Sequence, residues 1–326
     1  MPDGSVHLDR KSYPQAWSAY NVAQINEKTY FLRLLHDLCA DLEEPLQTNG
    51  RPRLPISEAI FIACYKVYST LSARRFMSDL TDAQAKGFLS KVPHFNSVLN
   101  ALDNETLTPV LHQLILETSL PMQAIEEDFA ADSSGFTTNR FSRWYDHKYG
   151  VKQQHDWIKV HLMCGVKTNI VTAVVIGDKN ASDTKQLPAL VEQTSKNFIM
   201  KRVMADKAYA SVDNHTVIDM HGATPYIPFK KIHTGSGGRN GRPKSLLWKK
   251  MFHLFMFHQE EFMAQYHKRS NVEATFSMIK AKFGGYVRSK GDVAMKNEVL
   301  CKLLTHNICC LIQESHVLGI DVSFLK

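Results

Sequence analysis

Tyr266, Arg269, Glu273 and Lys280 stand in the spacing Y-x2-R-x3-E-x6-K within YHKRSNVEATFSMIK, residues 266–280. Wound as a helix at about 100° per residue, Glu273 and Lys280 follow Tyr266 at two-turn intervals with a drift of about 20° each. Arg269 lies one turn along, so the four polar residues form one narrow stripe. Val272, Phe276, Ile279 and Phe283 form a second stripe beside it, at the spacing of a core-facing surface. One carboxylate is thereby held among two cations and a phenol, groups that suit phosphate.

Two further acids lie upstream in contexts that present a carboxylate. IEEDFAADSSGF reads as a strand carrying Asp132, followed by Ser133, Ser134 and Gly135, whose small size lets another molecule approach. MKRVMADKAYAS reads as an apolar strand ending at Asp206, followed by Lys207, Ala208 and Tyr209. Asp128 shares a strand face with Asp132, being four residues away; the small residues after Asp132 make it the preferred candidate. Asp183, in GDKNASDTKQL, reads as a helix cap.

The order of these residues resembles the DDE transposases of bacterial insertion sequences, in the group that carries the YREK signature. The resemblance covers roughly residues 125–310 and implies a ribonuclease-H-like fold in which Asp132, Asp206 and Glu273 meet, although 74 and 67 residues separate them. It implies that this triad is catalytic and holds two divalent ions, Mg²⁺ or Mn²⁺, with Asp132 bridging them. Hard oxygen ligands suit such ions, and two of them can activate the attacking oxygen and neutralise the leaving oxygen of a phosphodiester. It further implies that Tyr266, Arg269 and Lys280 bind DNA phosphates. Lys207, Arg239, Arg242 and Lys244 are further DNA-binding candidates. The expected activity is DNA cleavage and strand transfer at the element's ends, cut-and-paste, on double-stranded DNA of the terminal inverted repeats and the target. A homodimer on DNA is expected from the family. Two other classes compete: a transposase-derived DNA-binding protein without catalysis, and a related nuclease that cuts but does not join.

The charge distribution agrees with a polyanionic partner. Residues 1–120 hold 11 Lys/Arg against 13 Asp/Glu, whereas residues 121–326 hold 28 against 19, so the excess of the +7 chain lies on the half that carries the triad. Seven basic residues and no acidic ones fall between Lys230 and Lys250, in the Gly-rich stretch KKIHTGSGGRNGRPKSLLWKK. This stretch reads as an insertion with a mobile loop, either a clamp that orders on DNA or a plain surface loop.

The elements that must position these residues follow from periodicity. Residues 17–44, 57–71 and 81–102 read as helices, the second capped by Ser57 and the third broken at Lys91–Pro93 in a way compatible with a helix-turn-helix. Arg74 and Arg75 precede that pair. From about residue 119 the pattern changes to strands at 125–132, 157–164 and 170–177, the last two joined by a hairpin at TNIV. A helix over 184–197, a strand at MKRVMA, a helix over 211–222 ended by Gly222, and a strand at ATPYIPF complete an α/β order: a mixed sheet flanked by helices behind an all-α N-terminal domain. The expected division is 1–118 helical and 119–326 catalytic, with an insertion near 230–250. The last helix, about 294–317, reads as core or dimer packing.

Asp146, His147 and His155, with Trp144, Tyr145 and Trp157, lie in a polar, aromatic connection read as surface or DNA-facing; the aromatics are structural or stack on a flipped base. The six cysteines fall in apolar runs and read as reduced core residues. Cys301, His306, Cys309 and Cys310 lack a second ligand cluster, which argues against zinc. No run reaches the roughly 20 apolar residues of a membrane span, and the expected location is cytoplasmic, nucleoid-associated when bound to DNA.

Overall fold

A computed structural model describes residues 16–44, 46–47, 49–50, 53–138, 148, 157–177, 181–233 and 245–324. Its centre is a five-stranded mixed sheet in the order β3-β2-β1-β4-β5, formed by β1 (Asp128–Thr137), β2 (Trp157–Gly165), β3 (Val171–Gly177), β4 (Arg202–Ala205) and β5 (Thr224–Tyr226). β1 and β2 pair antiparallel, as do β2 and β3, whereas β4 runs parallel to β1 and β5 parallel to β4. This is the ribonuclease-H-like order. The short β5 tolerates Pro225 because an edge strand has an N–H to spare.

The β2–β3 hairpin is held from outside. The buried carboxylate of Glu126 accepts hydrogen bonds from the Lys167 and Thr168 N–H groups, at 3.0 and 2.6 Å, and from the Thr168 hydroxyl at 2.8 Å. The first strand therefore starts at Asp128 rather than Ile125, because Glu126 is spent on this turn. Gly165 is required here: a Cβ would stand 2.3 Å from the Glu126 carboxyl carbon.

Among the described residues five α-helices precede the sheet: α1 (Trp17–Ala40), α2 (Ile56–Ser69), α3 (Met77–Ala85), α4 (Phe95–Leu102) and α5 (Leu107–Ser119). Ser57 does not cap α2. Glu44 does so from a distance, its carboxylate accepting from the N–H groups of Ile56 at 2.8 Å and Ser57 at 3.3 Å. Residues 86–94 separate α3 from α4, longer than the three- or four-residue turn of a helix-turn-helix. After β3 come α6 (Asp183–Ser195) and, beyond β4, α7 (Val212–Met220). The chain then adds α8 (Leu246–Phe257), α9 (Gln259–Tyr266), α10 (Ser270–Phe283) and α11 (Asp292–Leu318).

α11 is core, packed against α1, α2, α4 and α5 and reaching β3. Leu300, Leu303, Leu304, Ile308, Leu311 and Ile312 are buried along it, in a cluster continuous from the N-terminal helices to one face of the sheet. The other face buries Phe129, Met163, Leu187, Val191 and Val203 beneath α6 and α7. A third, small core of Phe229, Trp248, Met251 and Phe262 knits α8 and α9 to the rest. No helix of the described residues is long and apolar enough to cross a membrane.

Candidate active site

Two acids meet because two strands run parallel. In the β1–β4 register Ala131 faces Ala205, so the next residue on each strand is an aspartate, Asp132 and Asp206. Asp132 Oδ1 accepts from the Ser133 N–H at 2.8 Å. Asp206 leaves the end of β4 and caps the 3₁₀ turn Lys207–Tyr209, accepting from the Lys207 N–H at 2.6 Å. That turn is pinned from α6 and α7: Thr184 donates to the Ala208 carbonyl at 2.8 Å, and Asn214 to the Tyr209 carbonyl at 2.7 Å.

The third acid comes from across the sheet. α10 buries Val272, Phe276, Ile279 and Phe283, the apolar stripe expected of it, which turns Glu273 and Lys280 toward the groove beside β1. Arg269 joins the two sides, with Nη1 2.7 Å from Asp132 Oδ2 and Nη2 against Glu273 Oε1. Lys280 Nζ donates to Ser134 Oγ at 2.6 Å and sits over the Phe136 ring. An open groove of about 530 Å³ is lined by Asp132, Ser133, Ser134, Glu273, Ser277 and Lys280.

Burial raises the Asp132 carboxyl above its ordinary value. Its Ser133 hydrogen bond and the Arg269 charge pull it back, and the negative charges of Asp206 and Glu273 push it up again. Asp132 thus feels the charge of both other carboxylates. All three are hard oxygen donors of the kind that select Mg²⁺ or Mn²⁺, and a cation, the Arg269 guanidinium, already bridges two of them. The donor chemistry, rather than the present grouping, fits divalent ions. Among the described residues no three His, Cys, Asp or Glu side chains are grouped to hold an ion, and the Arg269 guanidinium occupies an oxygen of Asp132 and one of Glu273.

Tyr266, Arg269, Glu273 and Lys280 do not share one helix. Tyr266 ends α9, a 3₁₀ turn spans His267–Arg269, and Glu273 and Lys280 lie on α10. The tighter turn aims consecutive cations at acids four apart on β1: Lys268 at Asp128 (2.9 Å) and Arg269 at Asp132. Tyr266 still faces the site. Its ring lies 5.9 Å from the Arg269 guanidinium carbon and stacks on Phe262 of the third core. Burial raises its phenol, Arg269 opposes this, and the charges of Asp206 and Asp132 add to it.

Asp128 is a structural acid. It is 5% exposed and paired with Arg202 at 2.6 Å as well as with Lys268. Asp183 is not a cap: Ser182 holds the cap position of α6 without a side-chain bond, and Asp183 is the first helical residue. Its carboxylate instead meets Lys159 at 2.7 Å, His161 at 3.5 Å and the Ser133 hydroxyl at 3.1 Å. Lys159 and His161 were not anticipated as neighbours of the site. The signal was present in WIKVHLMC, where polar residues at every second position of an apolar strand mark one face. Trp157 opens β2 with its ring against Gly135, where a Cβ would come within 3.0 Å. Lys207 is exposed beside Asp206. Arg239, Arg242 and Lys244, the loop over 234–243, and Trp144, Tyr145, Asp146, His147 and His155 lie outside the described residues.

The sequence profile of the transposase DDE domain matches residues 124–308, more than half of the chain. The chain belongs to the transposase DDE domain family. Like others of that family, this transposase is an enzyme of DNA cleavage and strand transfer, and the family works with divalent metal ions. No curated protein matches the transposase. Among solved structures it resembles the piggyBac transposase synaptic complex with hairpin DNA, determined by cryo-EM. The identity is 10% and the TM-score 0.41, over 97% of this chain and 79% of that one.

Proposed function

We propose that this transposase moves an insertion sequence by cut-and-paste, with Asp132, Asp206 and Glu273 as its catalytic triad and Tyr266, Arg269 and Lys280 as the YREK-type DNA grip. The observation that carries this reading is that Asp132 and Asp206 each follow the paired Ala131 and Ala205 of β1 and β4, with Glu273 tied to Asp132 through one guanidinium. The three carboxylates would hold two Mg²⁺ or Mn²⁺ ions, and such ions would supply activation of the attacking oxygen and charge neutralisation at the leaving oxygen. Arg269 turns from the carboxylates to a DNA phosphate, exchanging one anion for another. Lys280, already aimed along the groove at Ser134, supplies a point charge to the strand, and Lys207 borders Asp206. Water attacks phosphorus in the cutting step and a DNA 3′-hydroxyl in the joining step. In each, one phosphorus–oxygen bond forms as another breaks and the leaving 3′-oxygen takes a proton. The small side chains of Ser133, Ser134 and Gly135 keep the groove floor open to the backbone.

The N-terminal helices, within residues 1–118, serve as DNA-contacting or dimerising elements that share their core with the catalytic residues 119–326. The basic stretch around Arg239, Arg242 and Lys244 adds a clamp, and a homodimer acts in the cytoplasm on the nucleoid. Deleting residues 234–243 should weaken DNA binding; unchanged affinity would remove the clamp from this scheme.

The deciding experiment is excision in cells from a donor plasmid carrying the gene's own flanking DNA, wild type against Glu273→Gln. The amide keeps the size of the side chain and removes the charge. Excision should fall by at least about 10²–10³-fold, the scale on which single electrostatic groups act in catalysis, with DNA binding retained. Equal excision by both would refute the triad. No excision by either, with DNA binding intact, would leave a DNA-binding protein without catalysis.

A further inference from the structure

A second cluster of cations lies away from the acids, where α2, α4 and α11 meet the segment 284–291 that follows α10. Lys66, Arg288, Ser289, Glu298 and Lys302 line a cavity of about 80 Å³ there, several times what one water requires. Lys302 is 1% exposed and Lys66 8%. Three cations thus face one carboxylate. That carboxylate is already occupied, accepting from the N–H groups of Arg288 at 2.9 Å and Ser289 at 2.8 Å, with Lys302 at 3.7 Å.

The remaining donors are not used up. Lys302 is spent on the carbonyls of Gly284 and Tyr286, at 2.9 and 2.5 Å. Lys66 donates to the Leu71 carbonyl, and Arg288 donates to the same carbonyl at 3.1 Å and to the Tyr286 hydroxyl at 3.3 Å. An ammonium has three donors and a guanidinium five, so among the described residues Lys66 and Arg288 keep N–H groups for another partner. Burying excess positive charge is unfavourable unless an anion accompanies it. Burial lowers the Lys66 ammonium to about 8, and the neighbouring Arg288 charge adds to the fall. Lys302 is lowered to about 8 by burial against the opposing pull of Glu298.

This cavity is tied to the candidate active site through the end of β1. Residues 285–287 pair with Thr137 at the end of β1, through the Thr137 N–H to the Gly285 carbonyl (3.1 Å) and the Val287 N–H to the Thr137 carbonyl (2.9 Å). One buried ring, Phe136, lies under both Lys280 (5.4 Å) and Lys302 (5.3 Å). On the outer side Leu71 leads to the exposed Arg74 and Arg75. Positive charge therefore runs from the catalytic groove along β1 to the cavity and out to the surface.

We propose that the Lys66–Arg288–Lys302 cavity is a second phosphate site, which takes a backbone phosphate of the DNA whose scissile bond lies at Asp132. Arg288 is the contacting fork and Lys66 and Lys302 stand behind it. The inference rests on the reading of the catalytic groove as the cutting site, and its test is independent of cutting. The affinity of the full chain for a duplex taken from the gene's flanking DNA is measured across a salt series for wild type, Arg288→Gln and Arg288→Lys. Arg288→Gln should weaken binding about three- to tenfold and lower the log–log salt slope by about one. Arg288→Lys, which keeps the charge, should restore most of the slope. Affinity and slope equal to wild type in a folded Arg288→Gln protein would overturn the proposal. A second arm measures thermal stabilisation by inorganic phosphate without DNA. Stabilisation lost in Arg288→Gln while the DNA salt slope stays unchanged would mean a site for free phosphate and would also overturn it. Because Glu273→Gln is scored by excision and Arg288→Gln by the salt slope, failure of the triad and failure of this site are told apart.

Discussion

Arg269 is the residue on which the site turns. It satisfies Asp132 and Glu273 together, a role that the spacing of the sequence did not suggest, since YREK-type residues read as phosphate ligands. A guanidinium between two carboxylates holds the pair against mutual repulsion and also occupies their oxygens. Arg269→Gln should therefore bind Mn²⁺ several-fold more tightly than wild type in the absence of DNA, followed by the paramagnetic signal of free Mn²⁺, while DNA affinity falls. Weaker Mn²⁺ binding would show that Arg269 props the acids up rather than competing for them. The identities of Asp132, Asp206 and Glu273 as candidates were legible because each stood in a distinctive run. The partners of Asp183 were not, because Lys159 and His161 reach it only across the β1–β2 pairing and the start of α6.

Among the elements, the sheet order depends on a few side chains that tie strands to helices. Asn307 on α11 is fully buried. Its amide donates to the carbonyls of Ile115 (3.2 Å) and Val171 (2.8 Å) and to the Thr118 hydroxyl (3.1 Å), and its carbonyl accepts from the Val171 N–H (2.8 Å). One side chain thereby joins α5, the start of β3 and α11. Asn307→Leu should destabilise the fold by at least about 2 kcal/mol in chemical denaturation, since it strands buried backbone donors and acceptors. A loss within about 0.5 kcal/mol would mean that the strand edge finds other partners. Most helices and strands from α1 to β5 were readable to within a few residues from periodicity; α5 was not assigned, and β1 was read as ending at Asp132 although it continues to Thr137. The helices over 246–257 and 259–266 were not assigned, because MFHLFMFH has too few polar residues to mark a face. The break at His267–Arg269 was hidden because the residues around it keep a helical spacing.

For the molecule as a whole, burial of thiols links stability to alkaline pH. Burial raises Cys164 to about 12, with the Thr275 hydroxyl opposing and the charges of Glu126 and Asp132 adding, and burial likewise raises Cys309 to about 12. An unfolded thiol ionises near 9.0. Such groups contribute stability in full below about pH 9, and that contribution is lost as pH rises toward 12, because only the unfolded chain releases the protons. Wild type should lose melting temperature above about pH 9, and Cys164→Ala, less stable at pH 7 by the cavity it leaves, should close part of that gap by pH 10.5. A gap that does not change with pH would mean that Cys164 ionises equally well when folded. What the sequence by itself determined was the class of chemistry, the α/β order and which acids are candidates, because these depend on residue type and on spacing within single elements. Only the tertiary structure decided that Asp132 and Asp206 each follow the last register pair of β1 and β4, that Arg269 bridges Asp132 to Glu273, and that α11 belongs to the core shared with the N-terminal helices. Those are contacts between elements far apart in the chain, and local periodicity carries no record of which distant face a residue will meet.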